Sequence, residues 1–298
     1  MCIETLYQEF YRSSIQGCKH IDFVGVNCTS DPSAPFLFKT YQHIGANMEQ
    51  LDSFLELLER KDMIKNYLPV RTSDPSRVQY DVRLANRTDV NMQEVMGYLA
   101  KNLAKTSKFS IAALSEISYF SRMSITDLPN HTMSALYFLG LQWNDGRLSV
   151  LKSHFLTRKI VDPDHFSSGF WYDDDYFLSY IRSVNNKPCG RLAEITGDLL
   201  RCLEGHLWMF GLDVFRSHDT KYKIYLKNAQ GLDLSALRTL LVKYQEFAEL
   251  SFGLQELYLW QERHSEFFLY GFALTATSNG VYGINLYYFP PDSMRGTT

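Results

Sequence analysis

One pattern recurs along the chain and limits its fold more than any other feature: two short apolar runs joined by a polar turn. In three copies the first run contains a glycine and the second a lysine, at residues 23–27 with 36–41, 138–142 with 150–154, and 209–213 with 221–225. Two such runs around a short turn form a β-hairpin. The interval from glycine to lysine is 12 residues for Gly140 and Lys152, 12 for Gly211 and Lys223, and 14 for Gly25 and Lys39.

The same spacing indicates two weaker hairpins, at residues 69–71 with 81–83 and 256–258 with 268–270. Together the copies predict five hairpins with ten strands, and a strand at 281–289 closes the chain. Apolar residues at helical spacing occupy the intervals, at 51–63, 95–103, 177–203 and 234–247. Because no Pro-, Gly- or Ser-rich linker interrupts the series, we predict a single domain over residues 1–298.

Alternation along the strands separates an apolar face from a polar one. In the fourth hairpin Tyr222, Ile224 and Leu226 share one face, and Lys221, Lys223, Tyr225 and Lys227 share the other. An open sheet with one solvated face is one explanation. A ten-stranded sheet tends to curl, however, and closure removes its exposed edges. We therefore predict an α+β fold, a ten-stranded antiparallel β-barrel with helices outside and a ligand-sized polar lumen.

The predicted lumen is rich in cations and phenols. It holds Asn27, Tyr41, Asp81, Gln142, His154, Asp213, Tyr225, Glu256, Tyr258, Phe268 and Tyr270, with five cations, Lys39, Arg71, Arg83, Lys152 and Lys223. A desolvated cluster of Lys and Arg needs an anion, and a diphosphate offers the most charge for its size. Tyrosine faces attract positive charge. The lumen therefore fits an allylic diphosphate that ionises to a carbocation.

Composition excludes several other classes of protein. The net charge is 30 − 33 = −3, so there is no chain-wide basic field for nucleic acid. Five scattered cysteines without a CxxC pair indicate a reducing compartment and argue against a disulfide framework or a zinc site. The N-terminus lacks a signal-peptide pattern, and no apolar stretch is long enough to span a membrane. We expect a soluble, cytoplasmic protein.

These features resemble the ABBA-type aromatic prenyltransferases, barrels of ten antiparallel strands built from repeated αββα units. The recurring Lys-x-Tyr is the most telling similarity, at Lys39-Thr40-Tyr41 and Lys223-Ile224-Tyr225, with Lys152-Ser153-His154 as a variant and Asn285-Leu286-Tyr287-Tyr288 near the end. Two hairpins depart from it. Gln79-Tyr80-Asp81 replaces a Lys-x-Tyr, and Phe268-Leu269-Tyr270 lacks the cation.

The resemblance implies transfer of a C5–C15 isoprenyl group, from a donor such as dimethylallyl or geranyl diphosphate, to an aromatic small molecule or a peptide side chain. By position it gives Lys39, Arg71, Arg83, Lys152 and Lys223 to the diphosphate, and Tyr41, Tyr225, Tyr270 and Tyr287 to a shield around the allylic cation. His154, Asp213 and Glu256 are candidates for taking the acceptor's proton, with structural hydrogen bonding as the alternative. Asp81 lies where some members of the family hold Mg²⁺; an ion pair with Arg83 or Arg71 is its alternative.

Two other functions fit the same predicted chamber: terpene cyclisation, and non-catalytic binding of a hydrophobic anion. The sequence leaves the acceptor open among indole, phenol, guanidine and imidazole. The acidic run Asp173-Asp174-Asp175 resembles the aspartate-rich motif of helical isoprenoid synthases, but its spacing differs. Acidic residues in the first turn of a helix explain it as well, because the helix dipole favours negative charge there.

Overall fold

The computed structural model describes residues 2–16, 21–30, 36–42, 64–74, 76–84, 109–121, 136–160, 170–184, 186–217, 219–228 and 230–294. Its strands are β1 (Ile21–Thr29), β2 (Phe36–Gln42), β3 (Ile64–Thr72), β4 (Arg77–Leu84), β5 (Leu136–Asn144), β6 (Arg147–Leu156), β7 (Arg158–Ile160), β8 (Phe170–Tyr172), β9 (His206–Phe215), β10 (Thr220–Lys227), β11 (Phe268–Thr277) and β12 (Tyr282–Phe289). Its α-helices are α1 (Ile3–Phe10), α2 (Ile111–Phe120), α3 (Asp174–Arg182), α4 (Lys187–Cys202), α5 (Leu234–Leu241), α6 (Gln245–Ala248) and α7 (Ser251–Arg263).

Ten strands close into a barrel in the order β1-β12-β11-β10-β9-β6-β5-β4-β3-β2, and every neighbouring pair is antiparallel. The first and last strands pair over six positions, Val24 with Tyr288 through Thr29 with Gly283. The predicted ten-stranded barrel with helices outside is confirmed. A small sheet of β7 and β8 lies outside the barrel sheet and was not predicted.

The apolar face of β10 packs outward beneath α2. On β10, Tyr222, Ile224 and Leu226 are buried, and the Tyr222 hydroxyl donates to Glu116 Oε2 on α2 at 2.8 Å. This contact fixes which face of the strand points outward. Its alternate residues, Lys223 and Tyr225, therefore point into the barrel.

Helix boundaries follow capping side chains. The Asp173 side chain accepts a hydrogen bond from the Tyr176 backbone N–H, and Asp174 and Asp175 occupy the first turn of α3. The acidic run therefore begins a helix, as its dipole favours. The helical intervals predicted at 177–203 and 234–247 are confirmed as α3 with α4 and α5 with α6. Those at 51–63 and 95–103 lie outside the described residues.

The fifth hairpin is displaced from its predicted position. Residues 256–258 belong to α7, whose Leu254, Leu257 and Trp260 are fully buried at helical spacing. A three-residue run cannot separate helix from strand, so the prediction of a strand there was wrong. The hairpin is instead β11 with β12. Glu256 and Tyr258 consequently lie on a helix outside the barrel, and the assignment of Glu256 and Tyr258 to the lumen is wrong.

Among the described helices, none combines the length and the apolar character needed to cross a membrane.

Candidate active site

Cross-strand pairing brings three lysines to the inside of the barrel. Lys152 pairs with Asp213 on β9, Lys223 pairs with Thr275 on β11, and Lys39 pairs with Thr72 on β3. Residues directly opposite one another point to the same side of a sheet. The lysines are only 4–8% exposed, so they form a desolvated cationic layer.

Direct contacts tie two of these lysines to the lumen wall. Lys223 Nζ lies 2.5 Å from Asp213 Oδ2, and Lys152 Nζ donates to Gln79 Oε1 at 2.6 Å. Gln79 Nε2 in turn donates to Asp81 Oδ1 at 2.9 Å. Within the part of the chain that the structure describes, Lys39 Nζ has no hydrogen bond or ion pair.

A fourth lysine faces the lumen beside this layer. Lys221 precedes Lys223 by two residues on β10, and its cross-strand partner is Asp213 on β9. Lys221 was predicted on the polar face of its strand but not among the residues that bind the diphosphate. The period of two along the strand was the signal that identifies it. Gln79, which precedes Asp81 by two residues, was omitted in the same way.

The lysine layer has more positive charge than its neighbours neutralise. Burial, with the nearby ammonium groups of Lys152 and Lys223, holds the pKa of Lys39 well below its usual value of 10.5. Burial lowers the pKa of Lys152 and of Lys221 to about 8. Burial alone would raise the pKa of Asp213, but the adjacent lysines outweigh it and hold that pKa at about 2. The site is therefore suited to an added anion.

Three tyrosines form the next layer, two of them on the lysine-bearing strands β2 and β10 and one on β12. Tyr41 and Tyr225 follow their lysines by two residues, a rise of about 6.6 Å. The ring centroid of Tyr287 lies 5.7 Å from that of Tyr225 and 6.4 Å from that of Tyr41. Burial raises the pKa of all three phenols, that of Tyr287 to about 12. They are therefore neutral at physiological pH.

His154 takes the place of a tyrosine in this layer. Its Nε2 lies 3.0 Å from the Tyr225 hydroxyl, and its buried Nδ1 has no hydrogen-bond partner in the described part of the chain. Burial lowers the pKa of His154 to about 4. The ring is therefore neutral at pH 7, and a neutral ring has a nitrogen lone pair that can accept a proton.

A cavity of about 120 Å³ lies on the tyrosine side of the lysine layer. It is lined by Phe23, Tyr41, Asp81, Phe138, His154, Trp208, Met209, Tyr225 and Tyr287. Its rim is aromatic: the ring of Tyr270 lies 4.5 Å from Phe289 and 5.6 Å from Trp208, and Lys227 Nζ donates to the Tyr270 hydroxyl at 3.2 Å. Tyr270 thus lies at the rim rather than among the three inner phenols.

Most, but not all, of the predicted site residues come together. Lys39, Lys152, Lys223, Tyr41, Tyr225, Tyr287, His154, Asp213 and Asp81 face one lumen. Arg71 does not: it is exposed and pairs with Thr40, whose neighbours Lys39 and Tyr41 face inward, so it lies on the outer face. Its assignment to the diphosphate is therefore wrong, as is its ion pair with Asp81. The side chain of Arg83 lies outside the described residues.

The described residues around Asp81 do not by themselves complete the coordination of a Mg²⁺ ion. Its Oδ1 accepts from Gln79, and the nearest charged layer consists of ammonium groups. The described residues contain no group of three or more His, Cys, Asp or Glu that could hold a metal. A single carboxylate such as Asp81 could hold Mg²⁺ only together with phosphate oxygens of a substrate and water, and the neighbouring ammonium groups compete for those phosphate oxygens.

No family model matches the chain, and no curated protein matches it either. Solved structures do match. NotF prenyltransferase has a TM-score of 0.59 at 10% identity, over 95% of this chain and 87% of that one. AnaPT from Neosartorya fischeri has a TM-score of 0.56 at 12% identity, over 98% and 88%. The chain has the fold of a prenyltransferase barrel.

A third structure matches over the same barrel. The 5-dimethylallyl tryptophan synthase from Streptomyces coelicolor, in complex with DMASPP and Trp, has a TM-score of 0.51 at 8% identity, over 93% of this chain and 80% of that one. Identities this low carry the fold and not the roles of individual residues. The resemblance in fold to the prenyltransferase barrels is confirmed.

Proposed function

We propose that the protein is a prenyltransferase, which moves a short isoprenyl group from an allylic diphosphate to an electron-rich acceptor. The observation that carries the proposal is the layer of three buried lysines, Lys39, Lys152 and Lys223, with the partly buried Lys221 beside it, which has too few carboxylates to neutralise it. A diphosphate supplies the missing negative charge, and charge-assisted hydrogen bonds to ammonium groups are strong.

Ionisation of the donor is the first step. The bond between the allylic carbon and the diphosphate oxygen breaks, and its electron pair leaves with the diphosphate. Fixed ammonium groups stabilise the charge that develops on the leaving oxygen, in a site from which water is largely excluded. Asp213 is a positioning residue here: paired with Lys223 and with a pKa of about 2, it is a weak base.

Capture of the cation is the second step. The neutral rings of Tyr41, Tyr225 and Tyr287 present π faces that attract a carbocation and exclude water from it. The acceptor's ring or heteroatom forms the new bond to the allylic carbon and then loses a proton. His154 is our candidate for the proton acceptor, because it lines the cavity and its Nδ1 has no hydrogen-bond partner among the described residues, whereas Asp213 is held by Lys223.

The proposed substrates are those that the resemblance to the prenyltransferase barrels implies, and the aromatic lining of the cavity supports them. A C5–C15 donor, dimethylallyl or geranyl diphosphate among them, places its tail against the phenols. An aromatic small molecule or a peptide side chain then enters through the aromatic rim. The DMASPP and Trp bound by the Streptomyces coelicolor enzyme support this division between donor and acceptor. We place the reaction in the cytoplasm, where the free cysteines Cys2, Cys28, Cys189 and Cys202 stay reduced.

A mass-spectrometric screen tests the proposal. Donors of C5, C10 and C15 are incubated with tryptophan, tyrosine, simple phenols and short cyclic peptides, and released diphosphate is measured in parallel. A prenylated product formed with equimolar diphosphate supports the proposal. Cyclic hydrocarbon formed without any acceptor would instead identify a terpene cyclase. Donor binding without diphosphate release would identify a non-catalytic carrier.

Removing Mg²⁺ with a chelator tests whether the diphosphate is neutralised by lysines alone or by lysines together with Mg²⁺. We propose that the lysines carry this role without Mg²⁺ held by the protein, because Asp81 lacks a suitable set of neighbouring ligands. The expected result is that kcat with excess EDTA stays within about twofold of its value with added Mg²⁺. A loss of activity that Mg²⁺ alone restores would contradict this expectation and return Asp81 to the metal role.

Glu256 provides a negative control for the chemistry. Because it lies on α7 outside the barrel, Glu256→Gln is expected to leave kcat/KM within about twofold of the wild-type value. The measurement is a steady-state assay with whichever donor and acceptor the screen identifies. A large fall in kcat at unchanged melting temperature would contradict the placement of this residue.

A further inference from the structure

The glycines of the repeated pattern stand directly opposite its lysines in the barrel wall. Gly25 pairs with Lys39, Gly140 with Lys152, and Gly211 with Lys223. The 12- or 14-residue interval in the sequence is therefore the register of a hairpin. Each glycine faces the lumen on the same side as its lysine.

Gly140 lies beneath a side chain that crosses its strand. Lys152 on β6 reaches Gln79 on β4, and β5, with Gly140, lies between them. A Cβ atom at position 140 would lie 3.0 Å from Lys152 Cβ, 3.3 Å from Lys152 Cδ and 2.8 Å from Asp81 Oδ1. Optimal contacts between carbon atoms are about 3.5–4.0 Å, so any side chain here must displace the lysine stem.

Gly211 lies beneath a second crossing. Tyr225 on β10 reaches His154 on β6, and β9, with Gly211, lies between them. A Cβ atom at position 211 would lie 3.0 Å from Tyr225 Cε2, 3.3 Å from Lys223 Cβ and 3.5 Å from His154 Cδ2. The hydrogen bond between the phenol and the imidazole therefore depends on the absence of a side chain there.

Gly25 occupies the equivalent position with more room. It lies on β1 between Tyr287 on β12 and Tyr41 on β2. A Cβ atom there would lie 3.4 Å from Tyr41 Cε2 and 3.8 Å from Lys39 Cβ, which are ordinary contacts. Gly25 is therefore a matched control for Gly140 and Gly211.

We propose that Gly140 and Gly211 are positioning residues of the lumen, an inference that rests on the proposed function. Gly140 sets the reach of the Lys152 ammonium group and hence the affinity for the diphosphate. Gly211 sets the contact between Tyr225 and His154 and hence the enclosure of the allylic cation. Glycine inside a strand marks such close approaches.

Calorimetric titration with inorganic diphosphate tests the role of Gly140. Gly140→Ala is expected to weaken binding at least tenfold, whereas Gly25→Ala binds within twofold of the wild type. Gly190→Ala, on α4 with no atom within 4 Å of the added methyl, controls for the substitution itself. Melting temperatures identify variants that have not folded.

The product ratio tests the role of Gly211. Gly211→Ala is expected to raise the share of prenyl alcohol, formed when water captures the cation, at least threefold over the wild type. If Gly140→Ala does not fold, the inference is tested by the product ratio of Gly211→Ala alone. Three results would each overturn the inference. Gly140→Ala could bind diphosphate as tightly as the wild type, or Gly25→Ala could bind it as weakly as Gly140→Ala. The third is a share of prenyl alcohol that is unchanged in Gly211→Ala. If the wild type itself fails to bind diphosphate, the proposed function fails as well.

Discussion

Replacing Lys39 with methionine is expected to weaken the binding of inorganic diphosphate about a hundredfold and to raise the melting temperature of the free protein. A hydrogen bond to a charged group contributes about 1.5–3 kcal/mol, and the upper end corresponds to a hundredfold change in affinity. Lys39 is 8% exposed and faces the like charges of Lys152, Lys221 and Lys223, so its own charge destabilises the empty barrel.

The two opposite effects distinguish a binding role from a structural one. Replacing even a buried ion pair by apolar side chains of similar volume is often neutral or stabilising by about 1–4 kcal/mol. Arg71→Met is the matched control, because it removes the same charge from the outer face of the neighbouring strand. It is expected to leave diphosphate affinity unchanged. Equal losses in the two variants would show that net charge, and not the lumen, governs binding.

Diphosphate affinity is expected to fall steeply as the pH rises above 8. The pKa values of Lys152 and Lys221 are lowered to about 8 by burial, so both lysines begin to lose their charge there. A bound diphosphate favours their protonated forms, and binding therefore takes up protons. For each proton taken up, the Kd rises about tenfold per pH unit above the pKa of the free protein.

The stability of the free protein is expected to change in the opposite direction. The pKa of Lys152 is about 8 in the folded state and 10.5 at its usual value, so the unfolded chain binds more protons between these limits. Stability therefore rises with pH over that window, by roughly 3 kcal/mol for a group displaced this far. Asp213, Lys223, Asp81 and Lys221 are the charged groups that act on Lys152 in the lumen.

Calorimetry between pH 7 and 9 measures this linkage directly. Titrations of inorganic diphosphate in two buffers of different ionisation enthalpy give the number of protons taken up at each pH. Lys152→Met should lower that number, whereas Arg71→Met should not. A Kd that is constant from pH 7 to 9, with no proton uptake, would show that the lysines are already fully charged in the empty barrel.

The barrel was predictable because its signals are local. Alternation within a strand separates Tyr222 and Ile224 from Lys223 and Tyr225, and a short turn fixes each hairpin. Three of the five hairpins carried the full pattern, and closure followed from the number of strands. Lys223, Tyr225 and Asp213 were placed correctly because each lies in such a hairpin.

The wrong predictions concern residues whose strand face or secondary structure is not determined by the neighbouring sequence. Arg71 was placed inside, but pairing between β2 and β3 puts Val70 and Thr72 there; a register shift of one residue reverses the faces of a strand. That pairing joins residues about thirty positions apart, across a segment without a turn signal. The run at Leu257 was too short to distinguish a helix from a strand. The helix is recognised only when Leu254 and Trp260, buried at helical spacing on either side, are included.

The position of a bound donor tests the central claim most directly. A crystal structure with a thio analogue of dimethylallyl diphosphate, in which the allylic bond resists ionisation, is expected to show diphosphate oxygens about 2.7–3.2 Å from the ammonium groups of Lys39, Lys152 and Lys223. Its C5 tail should lie among Tyr41, Tyr225 and Tyr287. A donor bound on the exterior, or one whose tail rather than its diphosphate meets the lysines, would contradict the account.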